Sequence, residues 1–183
     1  LCDRRQRQMC IRDRNMEINP SEYKILIVDD VMSNVLLLKV LLTNEKFAIA
    51  TANNGRQALE QVDKERPDLL LLDVMMPDLS GFEVAQRLKS NPDTADIPII
   101  FLTALNSTTD IVKGFQAGAS DFISKPFNKE ELIIRVTHQI SLVAAKRIIL
   151  NKTEELQRII AGRDKLYSVI AHDLRSPMGS IKM

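Results

Sequence analysis

Acidic, hydroxyl and amino side chains follow four separate strand-like stretches of this 183-residue chain. Three of these stretches are short apolar runs, which are typical of strands buried on both faces of a parallel sheet, and the fourth is the shorter segment 121–124. The polar residues at their ends are Asp29 and Asp30, Asp73, Thr103, and Lys125. Because ligands bind at the carboxyl ends of the strands in open parallel sheets, these side chains are expected to meet at one sheet edge.

The chemistry that this set supports is phosphoryl transfer, which needs an in-line acceptor oxygen and positive charge around the equatorial oxygens. Asp73, directly after four leucines, supplies the acceptor oxygen. Asp29 and Asp30 alone would repel it, so the three acids imply a cation, and Mg²⁺ suits an all-oxygen site. Lys125 is a point charge for a phosphoryl oxygen, and Thr103 offers a small hydroxyl.

Taken singly, each of these residues has a simpler interpretation. Asp29 or Asp30 could cap the helix that follows. Lys125 could be a solvated loop charge, and Thr103 could fill the end of a strand. The joint pattern with Asp73 favours the phosphoacceptor site.

Strand-like and helix-like runs alternate from residue 24 onward, which predicts right-handed βαβ units and a parallel sheet. Predicted strands cover 24–28, 47–52, 69–72, 98–102 and 121–124, and predicted helices cover about 32–44, 55–64, 81–89, 108–117 and a long segment from 129. Gly118 is a natural C-terminal cap. Asn128 with Glu131 three residues later is a capping box.

The ordered motifs resemble those of bacterial response-regulator receiver domains over residues 24–139. They are Asp29-Asp30, Asp73 with Met76-Pro77 and Gly81, Thr103-Ala104, and Lys125-Pro126. The resemblance implies an α/β, flavodoxin-like, five-stranded parallel sheet of order 2-1-3-4-5 with five helices, here followed by a long C-terminal helix. It also implies that Asp73 is the phosphoacceptor and that the phosphodonor is a histidine kinase or a phosphotransfer protein.

The same resemblance assigns roles around the metal and the switch. Asp30 and Asp73 would ligate Mg²⁺ directly, Met75 would add its backbone carbonyl, and Asp29 would act largely through water. Phe122 matches the switch position, whose ring enters space vacated when phosphate draws Thr103 inward; plain core packing of Phe122 is the alternative. The Lys125-Pro126 bond matches a cis position.

Helical sequence continues well beyond the length of a receiver. Leu132 to Leu174 contain no proline and one glycine, Gly162. Apolar residues recur at heptad spacing, interrupted by Lys152 and Arg163: Leu142, Ala145, Ile149, Leu156, Ile159, Leu166 and Ile170. This pattern predicts a coiled-coil linker over 140–164 and a homodimer formed through it. A lone amphipathic helix folded back on the receiver is the alternative.

Residues 165–183 resemble the phosphoacceptor helix of a sensor histidine kinase dimerisation domain, with His172 as acceptor. An exposed imidazole on a helix accepts a phosphoryl group at neutral pH, and the adjacent Asp173 can hold its ring proton. The sequence stops at Met183, before a second helix or an ATP-binding domain. We therefore interpret it as a fragment of a hybrid-type kinase.

Composition bounds the remaining possibilities. The chain is 45% hydrophobic with a net charge of +1 and no Trp, which gives no support for nucleic-acid binding. No apolar stretch approaches the ~20 residues of a membrane span, so a cytoplasmic location is expected. Residues 1–15 carry five arginines and two aspartates. Their sequence looks like a translated sequencing adaptor; a disordered basic tail is the alternative.

The main functional hypothesis is a phosphorelay in which phosphorylation of Asp73 controls a kinase whose acceptor is His172. The alternative is a stand-alone receiver that acts as an adaptor or dimerisation module without kinase output. An unrelated flavodoxin-like enzyme is poorly supported, because no glycine-rich phosphate loop follows the first strand. Asp73 could receive its phosphoryl group from another kinase or from His172 of the same protein; the direct continuation of the receiver into the predicted coiled coil favours another kinase.

Overall fold

A computed structural model describes residues 18–104 and 108–175. For residues 108–111, 164, 168, 169 and 171–175 only the backbone is described. The chain divides into two compact units, Leu1–Leu142 and Val143–Met183, and each is treated by itself.

The first unit is built on a parallel sheet of five strands in the order β2-β1-β3-β4-β5. The strands are β1 Lys24–Val28, β2 Ala48–Ala52, β3 Leu69–Asp73, β4 Ile99–Thr103 and β5 Asp121–Ser124. Every residue of β3 and β4 is buried, as their continuous apolar runs predict. The predicted fold class and strand order are confirmed.

Four strand boundaries differ by one residue from the sequence prediction: β3 and β4 end one residue later, at Asp73 and Thr103, and β2 and β4 begin one residue later. Phe47 lies outside β2 because its amide donates to the carbonyl of Leu42 and so closes the end of the preceding helix. Pro98 precedes β4, since proline has no N–H for the ladder, although its carbonyl still accepts from the amide of Leu70.

The sheet is connected by helices, which begin or end within about two residues of their predicted bounds. They are α1 Met32–Asn44, α2 Gly55–Glu65, α3 Gly81–Ser90, α4 Thr108–Gln116 and α5 Lys129–Arg175, with a short 3₁₀ turn at Pro20–Glu22. The start of α3 is a full capping box, in which Ser80 and Glu83 exchange hydrogen bonds. Gly118 has a φ of +92° just after α4, in agreement with its predicted capping role.

One half of the predicted capping box at the start of α5 is present, namely the hydrogen bonds to the Asn128 side chain. The Asn128 side chain accepts hydrogen bonds from the amides of Glu130 and Glu131, at 2.9 and 3.1 Å. The Glu131 carboxylate accepts from Arg135 Nε at 2.8 Å. The Glu131 side chain therefore points along the helix and forms an i,i+4 ion pair with Arg135.

The carboxyl ends of the central strands rest on a well-packed core. The four leucines of β3 are fully buried, as are Leu26 and Phe101. Burying a leucine side chain contributes about 1.5–3 kcal/mol, so β3 alone accounts for several kcal/mol of apolar burial. The residues at these strand ends are thus carried on rigid backbone.

The described part of the second unit is the rest of α5, residues 143–175. Its heptad positions Ile149, Leu156, Ile159 and Leu166 are each between 58% and 65% exposed. Within residues 18–104 and 108–175, we find no helix with the length and apolarity that a bilayer crossing requires.

Candidate functional site

Three carboxylates converge at the carboxyl edge of the sheet. Asp29 and Asp30 follow β1 directly, and Asp73 is the last residue of β3. Asp29 and Asp73 are buried and Asp30 is exposed, yet one oxygen from each lies within 4.8 Å of the other two. The structure therefore brings these predicted site residues together, across 44 positions of sequence between Asp29 and Asp73.

Lys125 joins this cluster from the loop after β5. Its Nζ atom donates to Oδ2 of Asp29 at 2.8 Å and to Oδ2 of Asp73 at 2.7 Å. The Lys125 amide donates to the carbonyl of Thr103 at 2.8 Å, and the Lys125-Pro126 peptide bond is cis. The lysine is therefore held by its backbone as well as by its charge.

The Asp29 carboxylate is anchored on several sides. Its Oδ1 accepts from the amide of Val31 at 2.8 Å, and both of its oxygens accept from Asn34 Nδ2, at 3.2 and 3.0 Å. The N-cap of α1 is Val31, and no side chain caps this helix. The Asp29 carboxylate instead accepts from the Val31 amide just before α1 and pairs with Lys125. Sequence reasoning missed Asn34; its signal was an asparagine, a poor helix former, in the first turn of α1.

Opposing effects act on the ionisation of Asp73 and Lys125. Burial raises the pKa of Asp73; its hydrogen bond from Lys125 opposes this and the nearby Asp29 carboxylate adds to it, with a net upward shift. Burial lowers the pKa of Lys125, but the Asp29 and Asp73 carboxylates outweigh it and raise that pKa overall. The single positive charge of Lys125 is therefore shared by the carboxylates of Asp29 and Asp73 and can neutralise only one of them.

The loop after Asp73 folds back tightly onto β3. The amide of Met75 donates to Asp73 Oδ1 at 3.3 Å, and the amide of Gly81 donates to the carbonyl of Val74 at 3.0 Å. A Cβ at Gly81 would overlap the carbonyl oxygen of Asp73. Only glycine therefore lets α3 start this close to the end of β3, which accounts for the glycine in the motif.

Thr103 and Phe122 lie on the neighbouring strands. Thr103 is buried at the end of β4, one residue beyond Leu102, which pairs in register with Asp73. Phe122 is half-buried on β5. Its ring lies 4.9 Å from that of Phe115 and 5.7 Å from that of Phe101, centroid to centroid. Both interpretations of Phe122, core packing and a movable ring, fit this half-buried position.

The donor set fits a hard divalent cation. Asp29, Asp30 and Asp73 together with Lys125 leave a formal charge of −2 in a partly buried cluster. All the clustered donors are carboxylate oxygens, the ligand type that Mg²⁺ prefers. Asp30, the exposed member, provides access for a cation with its waters.

Other predicted residues fall at or beyond the limits of the described chain. His172 and Asp173 belong to the helical backbone of α5, but their side chains are not described. The predicted adaptor-like segment 1–15 and residues 176–183 lie outside the described residues.

Comparison with known proteins gives the family. A family model described as response regulator receiver domain matches residues 25–137. The response regulator PleD of Caulobacter vibrioides is 42% identical over 140 residues, which are 76% of this chain and 30% of PleD. The DNA-binding response regulator MtrA of Mycobacterium tuberculosis is 42% identical over 113 residues, 62% of this chain and 48% of MtrA.

A solved structure matches as well. The signal receiver domain of a signal transduction histidine kinase from Syntrophus aciditrophicus has a TM-score of 0.61 and 36% identity, covering 65% of this chain and 90% of that structure. The matched region spans less than half the length of both curated relatives. The chain belongs to the response regulator receiver domain family and carries a receiver of two-component signalling.

Proposed function

We propose that Asp73 is the phosphoacceptor of this receiver and that its phosphorylation regulates a histidine kinase whose own acceptor is His172. The observation that carries the first part is the buried Asp73 carboxylate, hydrogen-bonded to Lys125 and grouped with two further aspartates. A buried acid whose pKa is raised by desolvation beside a specific charge partner is a candidate functional residue.

In the proposed reaction an Asp73 carboxylate oxygen attacks the phosphorus of a phosphohistidine. A new P–O bond forms an acyl phosphate, the P–N bond of the donor breaks, and its electron pair returns to the imidazole, which takes up a proton. Lys125, already within 2.7 Å of Asp73 Oδ2, binds an oxygen of the transferred group. Thr103, at the end of the adjacent strand, donates its hydroxyl to another.

Mg²⁺ would be held by Asp30, Asp73 and the backbone carbonyl of Met75, with Asp29 acting largely through water. When bound, it supplies the positive charge that balances the equatorial phosphoryl oxygens. The hydrogen bonds of Asp29 to Val31 and Asn34 keep this carboxylate in place beside the cluster.

The outer face of α1 supports docking of a phosphodonor protein next to the site. Apolar side chains 46–63% exposed begin two residues after Asp29, at Val31, Met32, Leu36, Leu37 and Val40. A helix that is apolar on its outer face as well as its core face is typically covered by a partner. We infer that a helical histidine kinase or phosphotransfer protein binds here and so brings its phosphohistidine to Asp73.

The output rests on α5. Its exposed heptad positions, among them Ile149 and Leu156, support a homodimer through a two-stranded coiled coil. His172 lies near the end of the same helix. The matched structure from Syntrophus aciditrophicus is a receiver of a histidine kinase, which supports a kinase output for this chain too.

An adaptor or dimerisation module without kinase output is the second candidate. The same exposed apolar stripe favours it, because a regulated dimer needs no active His172. One matched relative, MtrA, is named a DNA-binding response regulator and not a histidine kinase.

The experiment for the phosphoacceptor uses radiolabelled acetyl phosphate with Mg²⁺. Wild type should become labelled, Asp73→Asn should not, and Asp30→Asn should label poorly. Asp78→Asn is a matched control, since Asp78 is exposed in the same loop with a φ of +70° that asparagine tolerates. Label that persists in Asp73→Asn contradicts the assignment.

The kinase output is tested on the parent polypeptide, which we propose extends past Met183. Incubated with ATP, that polypeptide should label His172, and labelling should vanish in His172→Gln. A phosphomimetic beryllofluoride complex of the receiver should change the labelling rate in wild type and leave it unchanged in Asp73→Asn. A parent polypeptide that never labels His172 supports the adaptor.

A further inference from the structure

The Phe122 ring lies against a helix position that has no side chain. Gly114 is a buried residue of α4, and a Cβ built on it would overlap Phe122 Cζ and lie 2.6 Å from Phe122 Cε1. The same Cβ would lie 3.3 Å from Phe82 Cε1. Real Cβ atoms essentially never come within 3.0 Å of another side-chain carbon, so the Phe122 ring in this position and a side chain at position 114 exclude one another.

The ring is enclosed on further sides by aromatic neighbours. Phe115, the next residue of α4, packs edge-on against Phe122 with an interplanar angle of 72°. Phe101 lies beneath it on β4, and Phe82 of α3 packs against Phe101 at 5.1 Å. The Phe122 ring therefore occupies a slot between β4 and α4, and one wall of that slot is the bare backbone of Gly114.

A glycine in a helix interior makes the helix less stable than an alanine would. At Gly162 of α5 no described atom beyond the adjacent residues and the backbone of its own helix would lie within 4 Å of an added Cβ, so alanine would fit there. At Gly114 the contact with Phe122 prevents this replacement. Gly162 is therefore a matched control for Gly114: both are helix glycines, but only Gly114 lies against a side chain that excludes alanine.

We propose that Gly114 is the positioning residue for Phe122. The missing side chain creates the slot, and the slot ties the placement of the ring to the placement of α4. If the ring leaves, a void opens beside Gly114 that α4 must close, since packed interiors do not retain such voids without loss of contact energy. Ring and helix therefore change together, and this coupling to the phosphorylation state rests on the function proposed above.

The direct test is NMR on the full chain labelled with ¹³C at the Cζ of phenylalanine, which gives one signal for each of six residues. Phe122→Leu assigns the Phe122 signal. We expect Gly114→Ala to shift that signal more than any other and to abolish its NOE to residue 114. Gly162→Ala should leave all six signals in place. An unshifted Phe122 signal with its NOE retained in folded Gly114→Ala overturns the proposal.

A thermal cycle keeps the proposal testable if Gly114→Ala folds poorly. Leucine lacks the Cε and Cζ atoms that meet the new methyl group. Phe122→Leu should therefore lower the Tm of wild type but raise the Tm of Gly114→Ala. If Phe122→Leu lowers both Tm values by the same amount, the residues are not coupled and the proposal fails.

Beryllofluoride with Mg²⁺, a mimic of the phosphoryl group, tests the link to signalling. Wild-type Phe122 should shift on addition, and in Gly114→Ala, where the ring is already displaced, the shift should be less than half as large. An equal shift in both proteins overturns the coupling. If no signal of wild type responds, the phosphoacceptor function fails, while the NMR comparison and the thermal cycle still decide the role of Gly114.

Discussion

Lys125 Nζ lies 2.7 Å from Oδ2 of Asp73, although 52 positions separate the two residues in the chain. The same nitrogen also binds Asp29. The lysine thus holds two buried carboxylates together but neutralises only one negative charge. The consequences of this imbalance for stability, metal binding and phosphorylation can be measured separately.

Asp73→Asn should stabilise the protein in the absence of divalent cations. Burial and the Asp29 charge raise the pKa of Asp73, so its ionised form is less favourable in the folded than in the unfolded chain, and a neutral isostere removes that penalty. Thermal unfolding in EDTA should show a higher Tm for Asp73→Asn than for wild type. Asp78→Asn should leave the Tm unchanged. A lower Tm for Asp73→Asn contradicts the assigned electrostatics.

Magnesium should reverse this ranking. A ligand present at about 100 times its Kd stabilises the folded state by about 2.7 kcal/mol. Wild type should gain this stabilisation, while Asp73→Asn and Asp30→Asn should gain much less because each loses a charged oxygen ligand. Titration of Tm with MgCl₂ provides the comparison. Equal gains in all three proteins would place the cation elsewhere.

The stabilising effect of Asp73→Asn should depend on pH. A carboxyl with a raised folded-state pKa contributes stability that is fully present below its unfolded value, near 3.8, and is lost as pH rises through the folded-state pKa. The difference in unfolding free energy between Asp73→Asn and wild type should therefore be largest at neutral pH and shrink toward pH 4. Urea denaturation in EDTA between pH 4 and 7 measures it. A difference that grows on acidification would reverse the assigned sign.

The α1 face should matter for a protein phosphodonor and not for a small one. Leu36 is 61% exposed on that face, and Leu36→Glu would place a charge in the inferred interface. A loss of about 1.4 kcal/mol in binding corresponds to a tenfold weaker complex. Phosphotransfer from a phosphorylated histidine kinase should slow by about this factor, and labelling by acetyl phosphate should stay unchanged. Equal slowing with both donors would indicate damage to the site itself.

The secondary structure was predictable because its signals are strong and local. The leucines of β3 and the apolar runs of β1 and β4 are typical of buried strands, and Gly118 marked the end of α4. The convergence of the carboxylates followed from the rule that parallel strands share a carboxyl edge. Neither result required knowledge of side-chain packing.

The remaining features depend on distances that a sequence pattern does not contain. Asn34 donates to Asp29 only because the β1–α1 loop places the first turn of α1 beside the site. The overlap between a side chain at Gly114 and Phe122 follows from the spacing of α4 above the sheet. Both arise from tertiary packing, for which a single glycine or asparagine in a helix is a weak signal.

The heptad stripe of α5 should hold a homodimer together. Leu156 is 58% exposed at a heptad position, whereas Leu150 is 53% exposed outside the stripe. Burying a leucine is worth about 1.5–3 kcal/mol, and a dimer loses two, so Leu156→Lys should weaken association by more than about 100-fold. Leu150→Lys should have little effect. Sedimentation velocity distinguishes them, and a monomeric wild type at all accessible concentrations would favour the lone-helix alternative.

The most direct test of the phosphoacceptor is its chemical location. Borohydride reduces an aspartyl phosphate to homoserine, which peptide mass spectrometry can assign to a single residue. After treatment with acetyl phosphate and Mg²⁺, we expect homoserine at position 73 alone and none when EDTA replaces Mg²⁺. Homoserine at position 29 or 30, or its absence from a fully folded sample, would contradict the assignment of Asp73.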